Sequence, residues 1–312
     1  MIEPSWLVQG VLIPAIVSLT ALLLTPIIFR KGSGFGVAFG WVLALGIGLV
    51  IGYHATDIDW PDFPPQFARQ RLWIFLLPGA AITGLIASIE RAPRWIVWSL
   101  RTVTACSIGP ALLYAKLDPD FGWSATETLK NLGAIQGVAL LLFLSVGSHA
   151  RSQWGRSSTF VMGATFLALF AAMALSGSVL IGQYALTPAA IIFAGLLGGM
   201  RSERKLGADA LADIGVTLLV GLLAIGVFFN ELRPSDALLI AAAPLLLSIA
   251  ELPGGIRNWK PWATGLLRIC LAAIPATVAV ALLVHANQDT LFGDGGGDDT
   301  PAGYDAAEYE DD

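Results

Sequence analysis

The chain has 312 residues, 55% of them hydrophobic and 13% charged, with a mean hydropathy of +0.71 and a formal net charge of −5. A soluble domain is about 25% charged, so this chain has roughly half the charge that a water-facing surface needs, and the apolar stripes with polar faces of a soluble helical bundle are missing. Composition therefore excludes a large soluble helical domain, its acidic balance argues against a nucleic-acid partner, and the lipid bilayer becomes the expected surroundings.

Apolar runs near the span length of about 20 residues recur between charge and turn clusters and predict ten helices. The first, Trp6 to Phe29, has no basic residue before Arg30 and is too long for the apolar region of a signal peptide, so it reads as a retained span. The glycine-rich "KGSGFG" at Lys31 to Gly36 follows as a loop hinge, and the second span runs from Phe35 to Tyr53. The segment His54 to Leu72 is rich in Asp, Pro and aromatics and reads as an ordered interfacial loop, with Trp60, Phe63 and Phe67 at the membrane surface. Spans are then expected at Leu72 to Ile89, Trp95 to Ala115 and Thr128 to Gly147, the last entered through "SATE" (Ser124 to Glu127), a capping-box pattern. Phe160 to Ile181 and a short Thr187 to Met200 come next, with Thr187-Pro188 read as a helix entry. Ala208 to Phe229, Ser235 to Ala250 and Trp262 to His285 complete the membrane domain, residues 1–285. The tail, 286–312, has nine acidic residues and no basic one, and is too polar to fold alone.

Charge sets the expected orientation. With alternating sides, one set of loops and helix ends holds Arg30, Lys31, Arg91, Arg94, Arg101, Arg151, Arg156, Arg201, Arg204, Lys205, Arg257, Lys260 and Arg268, thirteen of the eighteen basic residues. The other holds Arg69, Arg71, Lys116, Lys130 and Arg233. The excess of basic residues on cytoplasmic loops then places both termini outside the cytoplasm, in a multi-pass cell-membrane protein.

Short matches between the halves suggest a parallel duplication, with helices one to four resembling seven to ten. "LIPA" at Leu12 to Ala15 matches "LTPA" at Leu186 to Ala189, and "LIASIE" ending at Glu90 matches "LLSIAE" ending at Glu251. Trp95 followed by "IVWSLR" to Arg101 matches Trp262 followed by "ATGLLR" to Arg268. A charge inside a span is costly and marks a functional candidate. Snorkelling to the surface is one explanation of the two arginines. The duplication predicts another, a Glu90–Arg101 and a Glu251–Arg268 pair across each hairpin. Arginines turned together into a cavity would instead make an anion-binding substrate site.

Enzyme signatures are sparse. His54, His149 and His285 stand alone at helix ends, and Cys106 and Cys270 have no metal-ligand spacing. "ALSG" at Ala174 to Gly177 has no histidine nearby to serve a nucleophile. The best chemical candidate is "DALAD", where Asp209 and Asp213 share one helix face at i, i+4 spacing. This pair is similar to the Mg²⁺-diphosphate motif of membrane prenyltransferases, and the resemblance implies metal binding at Asp209 and Asp213. It covers these residues alone, since the family's second acidic motif has no counterpart here. The competing explanation is acidic residues favoured at an exposed helix N-terminus. Gln136 and Gln183 are expected to make interhelical hydrogen bonds. No cofactor is implied. The sequence thus describes an integral membrane protein of undetermined activity, read first as a scaffold or assembly subunit beside another membrane protein. The alternative is a transporter with a site between the repeats, and a hydrated interior cavity is the feature that would separate the two.

Overall fold

The computed structural model describes residues 7–28, 34–56, 63–89, 92–118, 122–150, 155–199, 208–248 and 261–288. Most of these residues are helical, and there is no strand among them. Helix α1 (Ile13–Ile28) is entered through a π-helical stretch, Leu7–Leu12, and α2 is Gly34–Thr56. Helix α3 (Leu77–Ala87) is prolonged at its start by Ala68–Arg71 and a π-helical Leu72–Leu76. Then come α4 (Arg94–Leu112), α5 (Ala125–Ala150), α6 (Gly155–Leu175), α7 (Val179–Gly199), α8 (Ala208–Phe229), α9 (Pro234–Leu245) and α10 (Pro261–Ala286). Eight of these segments have the length and apolar composition to cross a membrane. The expected all-α polytopic bundle is the fold.

The centre of the bundle is α8. A helix that is apolar all round is stable only when surrounded by others, and from Ala210 to Gly226 every residue of α8 is buried. It packs on α2, α3, α4, α5, α6, α7 and α9. Close approach needs small residues: a Cβ placed on Gly84 of α3 would lie 2.6 Å from the Ala210 backbone of α8. The remaining helices pair as hairpins, α1 with α2, α6 with α7 and α9 with α10, and α1 also packs on α7.

Sequence boundaries need correction at α6 and α7. The sixth helix stops at Leu175 rather than Ile181, and the seventh runs from Val179 rather than Thr187, giving 21 residues instead of a short span. The cause is the turn Ser176-Gly177-Ser178. Gly177 has φ +85°, a left-handed conformation natural to glycine. The Gly177 and Ser178 amides donate to the Ala174 and Met173 carbonyls, closing α6. Thr187-Pro188 is therefore mid-helix rather than a helix entry, and the Thr187 hydroxyl donates to the Gly10 carbonyl at 2.8 Å. Other ends move less: α4 stops at Leu112 and gives way to a 3₁₀ turn, Tyr114–Lys116, while α9 stops at Leu245. The capping box of α5 is present, with the Ser124 amide and hydroxyl donating to Glu127 Oε2 at 3.0 and 2.9 Å. The Glu127 amide returns a 3.3 Å bond to Ser124 Oγ.

Candidate functional site

Helix α4 buries one stripe, Val97, Arg101, Thr104, Ala105, Ile108, Gly109 and Leu112. Spacings of three and four residues place these on one face, so Arg101 occupies a core position between apolar neighbours. It is 3% exposed and does not snorkel. Its guanidinium turns to α8, where Nε donates to Asp213 Oδ1 at 2.7 Å and Nη2 to Oδ2 at 3.2 Å. Asp213 is 0% exposed. Two parallel N–H···O bonds between ionised groups form the strong, orienting fork that arginine makes with a carboxylate.

Three further groups shape this site. Asp209, one turn before Asp213 and 15% exposed, places Oδ1 3.9 Å from Arg101 Nη2. The Trp98 ring lies 5.4 Å from Arg101 Cζ, within cation–π range. On the α5 side stands Gly147, where a Cβ would come 2.5 Å from Arg101 Nη1, so the absence of a side chain gives the guanidinium its place. The Thr217 hydroxyl donates to the Asp213 main-chain carbonyl at 2.8 Å and satisfies its own polar group within α8. Two carboxylates thus face one guanidinium, and the N-terminal end of α8 contributes a partial positive charge of about half a unit.

The structure joins two candidates that the sequence kept apart. Arg101 and the Asp209–Asp213 pair are one cluster, and Asp213 is a buried partner rather than an exposed helix-end charge. The guanidinium sits between the two carboxylates, where a bridging divalent cation would otherwise bind. Among the described residues, Asp209 and Asp213 belong to no group of three or more His, Cys, Asp and Glu able to hold a metal ion. Glu90 and Glu251, the partners expected for Arg101 and Arg268, lie outside the described residues. Arg268 is buried too, at 2% exposure. It is one turn before Ala272, which clusters with Val161 of α6 and Leu247. Arg268 therefore belongs to the α6–α9–α10 side and Arg101 to the α4–α5–α8 side. Cys106 and Cys270 are free and exposed.

Trp98, Gly147 and Thr217 were not singled out from sequence. The i, i+4 spacing of Asp209 and Asp213 was legible on α8, whereas the inward turn of Arg101 to meet them was not. Gly147 had no local signal, because its role depends on a side chain from another helix.

Among the described residues, two of the recesses in the bundle bear on function. One, of about 380 Å³, lies between α5, α8 and α9 and is almost wholly apolar. The other, of about 500 Å³, lies where α6 and α10 end near the α8–α9 turn, and Glu231, Arg233, Ser176 and Asn287 line it. Arg101 lines neither.

Fold and site together define a polytopic α-helical membrane protein with a buried arginine–aspartate cluster holding α4 to its central helix. Compared with protein families, with curated proteins and with solved structures, the chain matches none.

Proposed function

We propose that the chain is a non-catalytic scaffold subunit of a membrane assembly. The observation that carries this reading is the central helix: from Ala210 to Gly226 every residue of α8 is buried, and the arginine buried beside it is paired with Asp213. A solute path would need polar groups lining a cavity near the middle of the bundle. The outward face of α5 adds support. Gly133 and Gly137, one turn apart, would carry a Cβ with no atom within 4 Å, unlike the close-packed Gly84 and Gly147. Small residues four apart on a lipid-facing helix allow another helix to approach closely.

Cross-linking in native membranes, followed by purification in mild detergent, tests the proposal. The expected result is a membrane complex of fixed stoichiometry that Gly137→Leu disperses while the chain itself stays folded and monodisperse. Transport is the second reading, supported by the 500 Å³ recess that Glu231 and Arg233 line. Solute flux through vesicles containing the purified chain alone, lost on substitution of Glu231 or Arg233, would put transport first.

A further inference from the structure

Helix α9 begins beside the recess that Ser176, Glu231, Arg233 and Asn287 line, and its buried residues form two stripes. Ala237 and Ala241 line the apolar recess against α5 and α8. Asp236, Ile240 and Ala243 lie about 100° round the helix from them, on the side where α9 packs on α6 and α10. Leu247 continues this second stripe and clusters with Val161 of α6 and Ala272 of α10. The recess lies where those same two helices end, so Asp236, one turn in from Arg233, is turned toward it. Arg101 is at the other end of the bundle: the finish of α9, not its start, meets Ser145, two residues before Gly147 on α5.

Asp236 is 4% exposed. Among the described residues its side chain makes no hydrogen bond or ion pair, and neither do the side chains of Glu231 and Arg233. A buried carboxylate without a partner is costly. The N-terminus of α9 offsets only about half a charge, so a full positive charge is missing. Arg233, three residues earlier on the same turn, does not supply it. Two opposite charges that lie this close and leave each other unpaired leave room for a molecule that carries both charges in reverse. From this arrangement we infer that the recess binds a small zwitterion of the α-amino-acid type, its ammonium at Asp236 and its carboxylate at Arg233. An ammonium group has three N–H donors to place. Beside the Asp236 oxygens the recess offers Ser176 Oγ, which donates to the Ala172 carbonyl at 2.8 Å and keeps its lone pairs for accepting. Glu231 is exposed at the rim, where water solvates it. The inference goes beyond the scaffold reading and does not depend on it, since such a site serves an assembly subunit or a transporter equally well.

The melting temperature of the purified full chain in detergent, taken with each of the standard amino acids in turn and with methylamine or sodium chloride, gives the test. At least one amino acid is expected to raise it, and neither methylamine nor sodium chloride to match that shift. Asp236→Asn should abolish the shift. Without ligand it should melt above the unaltered protein, because it removes a buried charge that the chain does not neutralise. Arg233→Gln, at an exposed position, should leave the fold as stable and weaken the amino acid about tenfold, the worth of one charge-assisted hydrogen bond. An unaltered protein that no amino acid shifts would overturn the site. So would an Asp236→Asn chain that melts lower without ligand, the result expected if the acid serves only the helix N-terminus. An equal shift with methylamine or sodium chloride would overturn the zwitterion and assign the recess to a simple cation.

Discussion

Arg101 donates to both oxygens of Asp213, and both side chains are out of contact with solvent. Removing one member strands the other charge, which costs about 3–5 kcal/mol in measured buried pairs, whereas replacing both with apolar residues is often neutral or stabilising. Asp213→Asn and Arg101→Ala are therefore each expected to lower the melting temperature in detergent sharply, and Arg101→Met with Asp213→Leu to recover most of the loss. Fluorescence-detected size-exclusion after a heat step reads all of these. A double variant as unstable as the singles would mean that the cluster does more than neutralise itself. Asp209 should behave differently, because it is partly exposed and its oxygen is 3.9 Å from the guanidinium. Asp209→Asn is expected to cost under about 1 kcal/mol, as longer and wetter pairs do. From sequence alone the two aspartates looked equivalent, either as a metal-binding pair or as two acids at an exposed helix N-terminus. Burial separates them. Gly147→Ala tests the third side of the cluster, because its Cβ would meet Arg101 Nη1 at 2.5 Å. The guanidinium is pinned by Asp213 and cannot swing away freely, so a loss of about 1–3 kcal/mol is expected, as for other overpacked sites.

Helix α4 contains Pro110, whose missing N–H leaves the carbonyl of Cys106, four residues earlier, without its intrahelical donor. Gln136 of α5 supplies a replacement, with Nε2 3.5 Å from the Cys106 oxygen. Re-satisfaction by a neighbouring helix is how membrane helices tolerate proline. Polar contacts of this kind average about 0.6 kcal/mol and reach about 1.7, so Gln136→Leu should weaken the fold modestly. The same change made on Pro110→Ala should cost less, because the carbonyl then has its own helical donor. An equal cost in both backgrounds, measured as a double-mutant cycle, would show that Gln136 acts elsewhere. A hydrogen-bonding role for Gln136 was legible because a glutamine amid apolar residues needs a partner. Its particular acceptor was not, since that depends on which helices are neighbours. Likewise the α5 cap could be read from "SATE", a purely local pattern. The α6–α7 turn was missed because "SGS" sits between apolar runs, and the visible proline eleven residues on looked like the stronger signal. Pro188 is nonetheless carried inside α7, and beside it the Thr187 hydroxyl donates to the Gly10 carbonyl.

Contacts at both ends of α4 fix its course through the molecule. Near its start Arg101 lies against Gly147, close to the end of α5, and near its finish a Cβ on Gly109 would meet Leu132, close to the start of α5. The two helices are therefore antiparallel over their length, and α4 passes through the bundle despite its two arginines and its lower apolarity. Helix α9 reaches almost as far: the Pro244 carbonyl near its end accepts from Ser145, two residues before Gly147 on α5. These relations favour ten crossings, where composition alone identifies eight long apolar spans. They also gather the loop ends. Gly84 near the end of α3 meets Ala210 near the start of α8, Gly195 near the end of α7 meets Trp41 of α2, and Thr25 near the end of α1 meets Gly40. The finishing ends of α1, α3, α5 and α7 consequently share one face of the bundle with the starts of α2, α4 and α8. That face carries Arg94, and the sequence joining these ends contains Arg30, Lys31, Arg91, Arg151, Arg201, Arg204 and Lys205. A basic face is retained in the cytoplasm, so the C-terminal residue Asp312, ten crossings from an external N-terminus, is expected outside. A cysteine placed after Asp312 should react with a membrane-impermeant maleimide in intact cells, while one placed at Ser152, between α5 and α6, should react only after permeabilisation. The reverse pattern would invert the whole topology. Protection of both would mean that an odd number of helices crosses, and the 12-residue α9 would be the first to exclude.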